Sequence, residues 1–226
     1  MRIFVRFNSI AMKVILTGAT GYVGEGVLLE CLNNSKIEKV LSVSRRPCGH
    51  VHPKLEEYIV SDFMSLRTGD PALQGYDAVF FCAGTTSVGK KEEEYKVISH
   101  DIPLHFADVV GPKEEMTFIY LSGAGNYNHT DQMWVRVKRS TDEALVRKGF
   151  KKTFNFRPAI MWRYRGQIHI QKIQYVFWAM YPLVKLFGGW NTMSEVARAM
   201  IAACDSGYYK REIEVSDISE LSRRIS

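Results

Sequence analysis

The sequence predicts an α/β protein: a doubly wound parallel sheet with helices on both faces. Three observations carry this. Apolar runs of strand length alternate with segments of helix length along most of the chain. The strand runs are continuously apolar rather than alternating, the mark of strands buried on both faces. No linker, repeat or low-complexity stretch divides the 226 residues, of which 46% are hydrophobic, enough for one sizeable core.

The elements follow in order. "KVILT" (13–17) reads as the first buried strand, followed by a glycine-rich turn and "VGEGVLLECLNN" with helical spacing. "KVLSVS" (39–44), "EYIVSD" (57–62) and "DAVFFCAG" (77–84) read as strands two to four. "EEYKVISHDIPLHFADVV" (93–110) reads as a helix disturbed by Pro103, which lacks a backbone donor. "MTFIYLS" (116–122) is the fifth strand, 131–148 a helix, and "KTFNFRP" (152–158) a sixth strand closed by proline. "SEVARAMIAAC" (194–204) has helical spacing with Ser194 as expected N-cap, and "REIEVSD" reads as a short strand. Residues 1–12 are expected to be an N-terminal extension. They lack the long apolar stretch and small-residue cleavage site of a secretory signal. Residues 13–226 are expected to form a single domain.

Composition limits the function classes. The formal charge of +6 is spread along the chain, with no basic run and no basic–aromatic groove, so no nucleic-acid partner is expected. Cys31, Cys48, Cys82 and Cys204 show neither C-x-x-C pairing nor metal-ligand spacing with histidine, so no metal site is expected. Two of them lie in apolar runs, as small core residues of a reducing compartment do, and the expected location is cytoplasmic.

The turn after the first strand, "TGATGYVG", places Gly18, Gly21 and Gly24 at G-x-x-G-x-x-G spacing. Glycines there let backbone approach a pyrophosphate, while the following helix points its N-terminal amides at the phosphate charge. A glycine triplet alone is weak evidence. Here it follows a strand, opens a helix and begins an alternating fold, the context of a Rossmann dinucleotide site. At the end of the second strand, "SVSRRP" offers Arg45 and Arg46 where NAD-binding chains carry an acidic residue. Two guanidiniums suit a 2′-phosphate through forked, charge-assisted bonds, so the expected cofactor is NADP in preference to NAD.

With "TGATGYVG", "SRRP", "SDF", "FFCAGTT", "YLSGAG", "VKRSTDEAL" and "FRPAIM" in order, residues 13 to about 205 resemble the short-chain dehydrogenase/reductase superfamily. The looser likeness within it is to the atypical branch of Tat-interacting oxidoreductase-like and small NAD-dependent epimerase/dehydratase-like proteins. The resemblance implies that Gly18, Thr20, Gly21, Tyr22, Val23 and Gly24 hold the pyrophosphate, and that Arg45 and Arg46 meet the 2′-phosphate. Asp62 and Phe63 would border the adenine. Ala83 and Gly84 would line the adenosine side and bridging phosphates, and Pro158 would begin the loop beside the nicotinamide. Ser122 matches the catalytic serine. Lys138 matches the lysine of the family's Tyr-x-x-x-Lys pair, holding the nicotinamide ribose. The resemblance also makes 159–226 a small substrate cap.

The departure from the pattern is Trp134, four residues before Lys138, where the family has its proton-donating tyrosine. An indole keeps an N–H donor but is neither acid nor base. The proton would then come from Tyr127 or His129, on the loop after Ser122, or from water, with Tyr127 as the third catalytic candidate. "KIQYVFWAMYPLVKLFGGW" (172–190) is the most apolar stretch, but its lysines, Gln174 and Pro182 argue against a membrane span. It reads as a lid or packing helix, or through 173–187 as a surface for a membrane or protein partner. The expected function is an NADP-dependent oxidoreductase acting on a small carbonyl or alcohol substrate. The alternatives are a catalytically weak NADPH-binding regulatory protein and, less well matched, a sugar-nucleotide epimerase. The oligomeric state is open.

Overall fold

A computed structural model describes residues 11–123, 131–170 and 190–225. Seven parallel strands form one sheet: β1 (Met12–Thr17), β2 (Ile37–Ser44), β3 (Leu55–Ile59), β4 (Ala78–Phe81), β5 (Thr117–Leu121), β6 (Lys152–Phe156) and β9 (Glu212–Ile213). The order is β3-β2-β1-β4-β5-β6-β9, so successive connections run outward in opposite directions from the β1–β4 junction. Strand ends separate at such a reversal and leave a crevice beyond their carboxyl termini.

Side-chain alternation explains why both faces need helices. Val14, Leu16, Val40, Ala78, Phe80, Ile119, Phe154 and Phe156 join one buried cluster with residues of α1 (Tyr22–Asn33), α5 (Met193–Ser206) and α6 (Val215–Ser222). Ile15, Leu41, Val43, Val79, Phe81, Phe118 and Tyr120 join the opposite cluster with Phe106 of α3 (Ile102–Val109) and Leu145 of α4 (Met133–Val146). Odd and even positions of each strand therefore serve different cores.

Several boundaries differ from the sequence reading. β1 begins at Met12, inside the expected extension. β3 spans 55–59 rather than 57–62, because the chain turns at Asp62, whose carboxylate caps the 3₁₀ turn 63–65 by accepting from the Met64 amide. Pro103 does not break its helix. α2 (Glu92–Lys96) runs through a π-helical turn at Val97–Asp101 into α3, and proline sits in the first turn of α3. The widened turn changes the hydrogen-bond pattern just where proline offers no donor. Thr192, not Ser194, caps α5: its hydroxyl accepts from the Glu195 amide while its own amide donates to the Glu195 carboxylate. Ser194 instead donates to Glu30 of α1 at 2.6 Å. "REIEVSD" holds only the two-residue β9. Val215 then starts α6, because Glu214 and Asp217 form a reciprocal cap.

Residues 193–225 thus complete the sheet and one helical layer. The segment after β6 carries β7 (Ile160–Trp162), which pairs in parallel with β8 (Trp190–Thr192). The apolar stretch 173–187 lies outside the described residues. Among the described residues no helix is long and apolar enough to cross a membrane.

Candidate functional site

A cavity of about 400 Å³ opens beyond the carboxyl ends of β4, β5 and β6, against the start of α1. One wall is backbone. Gly21, Tyr22, Val23 and Gly24 line it. Gly18 bends the chain with φ of +80°, a conformation that disfavours any side chain. A Cβ on Gly18 would also lie 2.7 Å from the Ala83 amide nitrogen. A Cβ on Gly24 would lie 2.2 Å from the Gly18 carbonyl oxygen, so this glycine sets the approach of helix to turn. Gly21, the N-cap of α1, differs: its nearest obstacle is the same oxygen at 3.3 Å, leaving room on the cavity side. Opposite, nothing lies within 4 Å of a Cβ placed on Gly84. Open space beside the helix-start amides fits a pyrophosphate.

The other wall is made of side chains. Ser122 and Gly123 follow β5, Lys138 comes from α4, and Pro158, Ala159, Ile160 and Met161 come from the segment after β6. Lys138 Nζ donates to the Ser122 carbonyl oxygen and lies 5.7 Å from the centre of the Tyr120 ring. Burial pulls its pKa down to about 8, with the Asp142 carboxylate opposing that shift. Asp142 lies one helical turn further on. Burial pushes it up to about 7 against the downward pull of Arg157 and Lys138. The two walls are joined by the Tyr22 hydroxyl, which donates to the Met161 carbonyl at 2.9 Å.

The structure therefore brings together Gly21, Tyr22, Val23, Gly24, Gly84, Ser122, Lys138 and Pro158. Thr20 and Ala83 sit beside them; the Ala83 amide donates to the Thr17 hydroxyl at 3.1 Å. Arg45 and Arg46 are exposed beyond the end of β2, outside this wall. Asp62 is exposed after β3 and caps the 3₁₀ turn through its carboxylate, while the Phe63 ring is buried 5.8 Å from the Phe106 ring. The Trp134 indole donates to Gln132 Oε1 at 2.6 Å, and Trp134 is not among the described residues lining the cavity. Tyr127 and His129 lie outside the described residues. Sequence reading missed Asp142 although "VKRSTDEAL" contains it. The available signal was an acid four residues after the lysine, facing the arginine of "FRP".

A sequence profile of the NAD dependent epimerase/dehydratase family matches residues 14–146, more than half of the chain. The chain belongs to this family. Among curated relatives, protein FMP52, mitochondrial, of Candida glabrata is 27% identical over 149 residues, covering 65% of this chain and 63% of the relative. Protein HTATIP2 of Rattus norvegicus is 26% identical over 152 residues, covering 66% and 62%. The matched stretch thus spans less than two thirds of these relatives. In fold, the chain is similar to UDP-glucuronic acid 4-epimerase from Bacillus cereus in complex with NAD. The TM-score is 0.66 at 14% identity, covering 94% of this chain and 84% of that one. It is similar also to the thiolation-reductase di-domain of an archaeal non-ribosomal peptide synthetase, with a TM-score of 0.67 at 14% identity, covering 91% and 70%. In this member of the epimerase/dehydratase family, the cavity lies at the reversal point of strand order where a dinucleotide is expected.

Proposed function

We propose that this protein is an NADP-dependent oxidoreductase of the atypical short-chain type, interconverting a small carbonyl compound and its alcohol. The observation that carries the reading is the cavity itself: one wall of helix-start amides and glycines, the other bearing Ser122 and Lys138. The bound nicotinamide would supply or accept hydride. Gly21 to Gly24 would hold the pyrophosphate, Lys138 the nicotinamide ribose, and Ser122 the substrate oxygen. Pro158 and the residues up to Met161 would exclude water from the apolar side of the reacting carbon.

NADP is preferred over NAD because Arg45 and Arg46 stand exposed where β2 ends, free of an acidic neighbour in sequence. The UDP-glucuronic acid 4-epimerase in complex with NAD is only 14% identical to this chain, and it supports the fold alone. Calorimetric titration with NADPH and NADH tests the assignment. NADPH is expected to bind more tightly. Arg45→Ala/Arg46→Ala should lose about 1.5–3 kcal/mol of that preference, or about 10–160-fold, as charge-assisted phosphate bonds disappear. An unchanged ratio would remove the two arginines from the site.

A second reading, an NADPH-binding regulatory protein, draws on Trp134, whose indole is bonded to Gln132 and supplies no acid. Tight NADPH binding without reduction across a panel of aldehydes and ketones would favour it.

A further inference from the structure

In an α-helix the carbonyl of residue 99 would be met by the amide of residue 103. Residue 103 is proline, which has no amide hydrogen. The helix widens to a π-turn over Val97–Asp101, and side chains come to the Ser99 carbonyl instead. Two hydroxyls from different elements reach it. The Tyr120 hydroxyl, on β5, donates to it at 2.8 Å, and the Thr141 hydroxyl, on α4, lies 2.9 Å from it. Thr141 also reaches the Val137 carbonyl at 2.8 Å, the back-bond of a helical threonine. Ser99, Tyr120 and Thr141 are all buried. One carbonyl therefore ties β5 to α4.

The tie sits beside Lys138. Lys138 precedes Thr141 by three positions, so the two are neighbours on the surface of α4. Its ammonium lies over the Tyr120 ring, 5.7 Å from the ring centre. It donates to the carbonyl of Ser122, two residues beyond Tyr120. Among the described residues no carboxylate is hydrogen-bonded to it or forms an ion pair with it. A charge held away from water needs compensation. The π face of an aromatic ring supplies it, and more strongly where water is excluded. The ring is itself held in place. Tyr120 is 2% exposed, and its ring lies 6.2 Å from that of Phe81. Turning its face from Lys138 would break a buried hydrogen bond.

We propose that Tyr120 is a positioning residue for Lys138: its ring face holds the ammonium at the cavity wall, and its hydroxyl, bound to the carbonyl that Pro103 leaves without an amide, fixes the ring there. This rests on the oxidoreductase reading above, in which the Lys138 ammonium holds the nicotinamide ribose. Tyr120 does not line the first cavity and acts on the cofactor only through Lys138. Pro103 acts at one further remove, by making the Ser99 carbonyl an acceptor for side chains.

The groups facing Lys138 show why the ring matters. Burial draws its pKa down to about 8. From its own helix the Asp142 carboxylate, which does not touch it, opposes that shift. From β5 and the residue after it come the Tyr120 ring and the Ser122 carbonyl. Across the cavity, among the described residues, the start of α1 offers the Tyr22 phenol and no charge, and residues 158–161 offer no ionisable group. The Cys82 thiol at the end of β4 is pushed up to about 12 by burial and stays neutral. The ammonium is therefore kept charged near neutrality by a ring face, one carbonyl and one distant carboxylate.

The test uses the full chain with carbon-13-labelled lysine. The Lys138 Cε signal is assigned by its loss in Lys138→Met and followed against pH without cofactor. Position 120 is filled in turn with phenylalanine and its mono-, di- and trifluorinated forms, which keep the ring and drain its π face. The Lys138 titration should stay close to the wild type in Tyr120→Phe and fall stepwise with fluorination, by about 0.5–1.5 pH units in all. A fall of one unit from about 8 leaves about a fifth of the ammonium at pH 8, so NADPH affinity there should drop by up to about fivefold along the same series. Thr141→Val removes a hydroxyl from the same Ser99 carbonyl but leaves the ring; it should lower Tm without moving the titration. A Lys138 titration indifferent to fluorination, or moved as much by Thr141→Val as by the trifluorinated ring, overturns the proposal. Failure of the wild type to bind NADPH would strike the oxidoreductase reading instead, while the titrations still decide whether Tyr120 holds Lys138.

Discussion

The two walls of the first cavity are built on different chemistry. The α1 wall works through backbone: what matters at Gly18, Gly21 and Gly24 is a missing Cβ, and the ligand-facing groups are amides fixed by the helix start. The α4 wall works through ionisable side chains, and what matters at Lys138 is burial and the company of Asp142. A backbone wall is specified by a short run of residues. A side-chain wall takes its chemistry from whatever the fold packs behind it. The first is robust to pH and sensitive to any added atom; the second should tolerate small shape changes and respond to charge.

The sharpest way to break this comparison is within the glycine wall. Gly24→Val puts a branched side chain where a Cβ alone would meet the Gly18 oxygen at 2.2 Å. Since that obstacle is backbone, the fold itself must yield, at a cost of about 3 kcal/mol or more, or a fall in Tm of about 6–12 °C. Gly21→Val meets only one neighbour at 3.3 Å and should stay folded, with near-normal circular dichroism, yet lose NADPH binding in calorimetry as the side chain fills the pyrophosphate space. If both variants unfold alike, the division of these glycines between packing and binding is wrong.

The electrostatic wall is sharpened by pH. Asp142 is raised in the folded protein to about 7 from an ordinary value near 3.8. Between those values the folded state holds a proton that the unfolded chain has released. Asp142 therefore contributes stability that is full below about pH 4 and is lost as pH rises to 7. Asp142→Asn removes the ionisation, so urea midpoints should show the variant gaining on the wild type across that interval. Lys138 is lowered, which has the opposite sense: from about pH 8 upward the folded state has shed a proton that the unfolded chain keeps, and stability rises with pH until the unfolded lysine titrates. Flat difference curves in the Asp142→Asn comparison would show that burial does not set the chemistry of this wall.

Trp134→Tyr should have the smallest effect. The indole is bonded to Gln132 and, among the described residues, is no part of the cavity wall. NADPH-dependent reduction of 4-nitrobenzaldehyde should change by less than about threefold. A restored general acid would instead give a gain on the order of 10²–10⁴, and a gain of that size would place position 134 within reach of the reacting oxygen.

Ser122 and Lys138 were singled out by the family resemblance, and both line the cavity. The sequence by itself determined the doubly wound sheet and the position of the glycine turn. Both rest on local regularities: continuous apolar strands and glycines three apart. It misplaced element ends where a side chain redirects the backbone, as the Asp62 carboxylate does after β3 and the Glu214–Asp217 pair does after β9. Only the tertiary structure decided what stands behind Lys138. Asp142 lies on α4, Asn155 on β6, Arg157 just beyond it and Glu212 on β9. They meet because β9, last in the chain, adds to the sheet beside β6. Protonation free energies depend on burial and on neighbours distant in sequence, and neither exists until the strands are ordered.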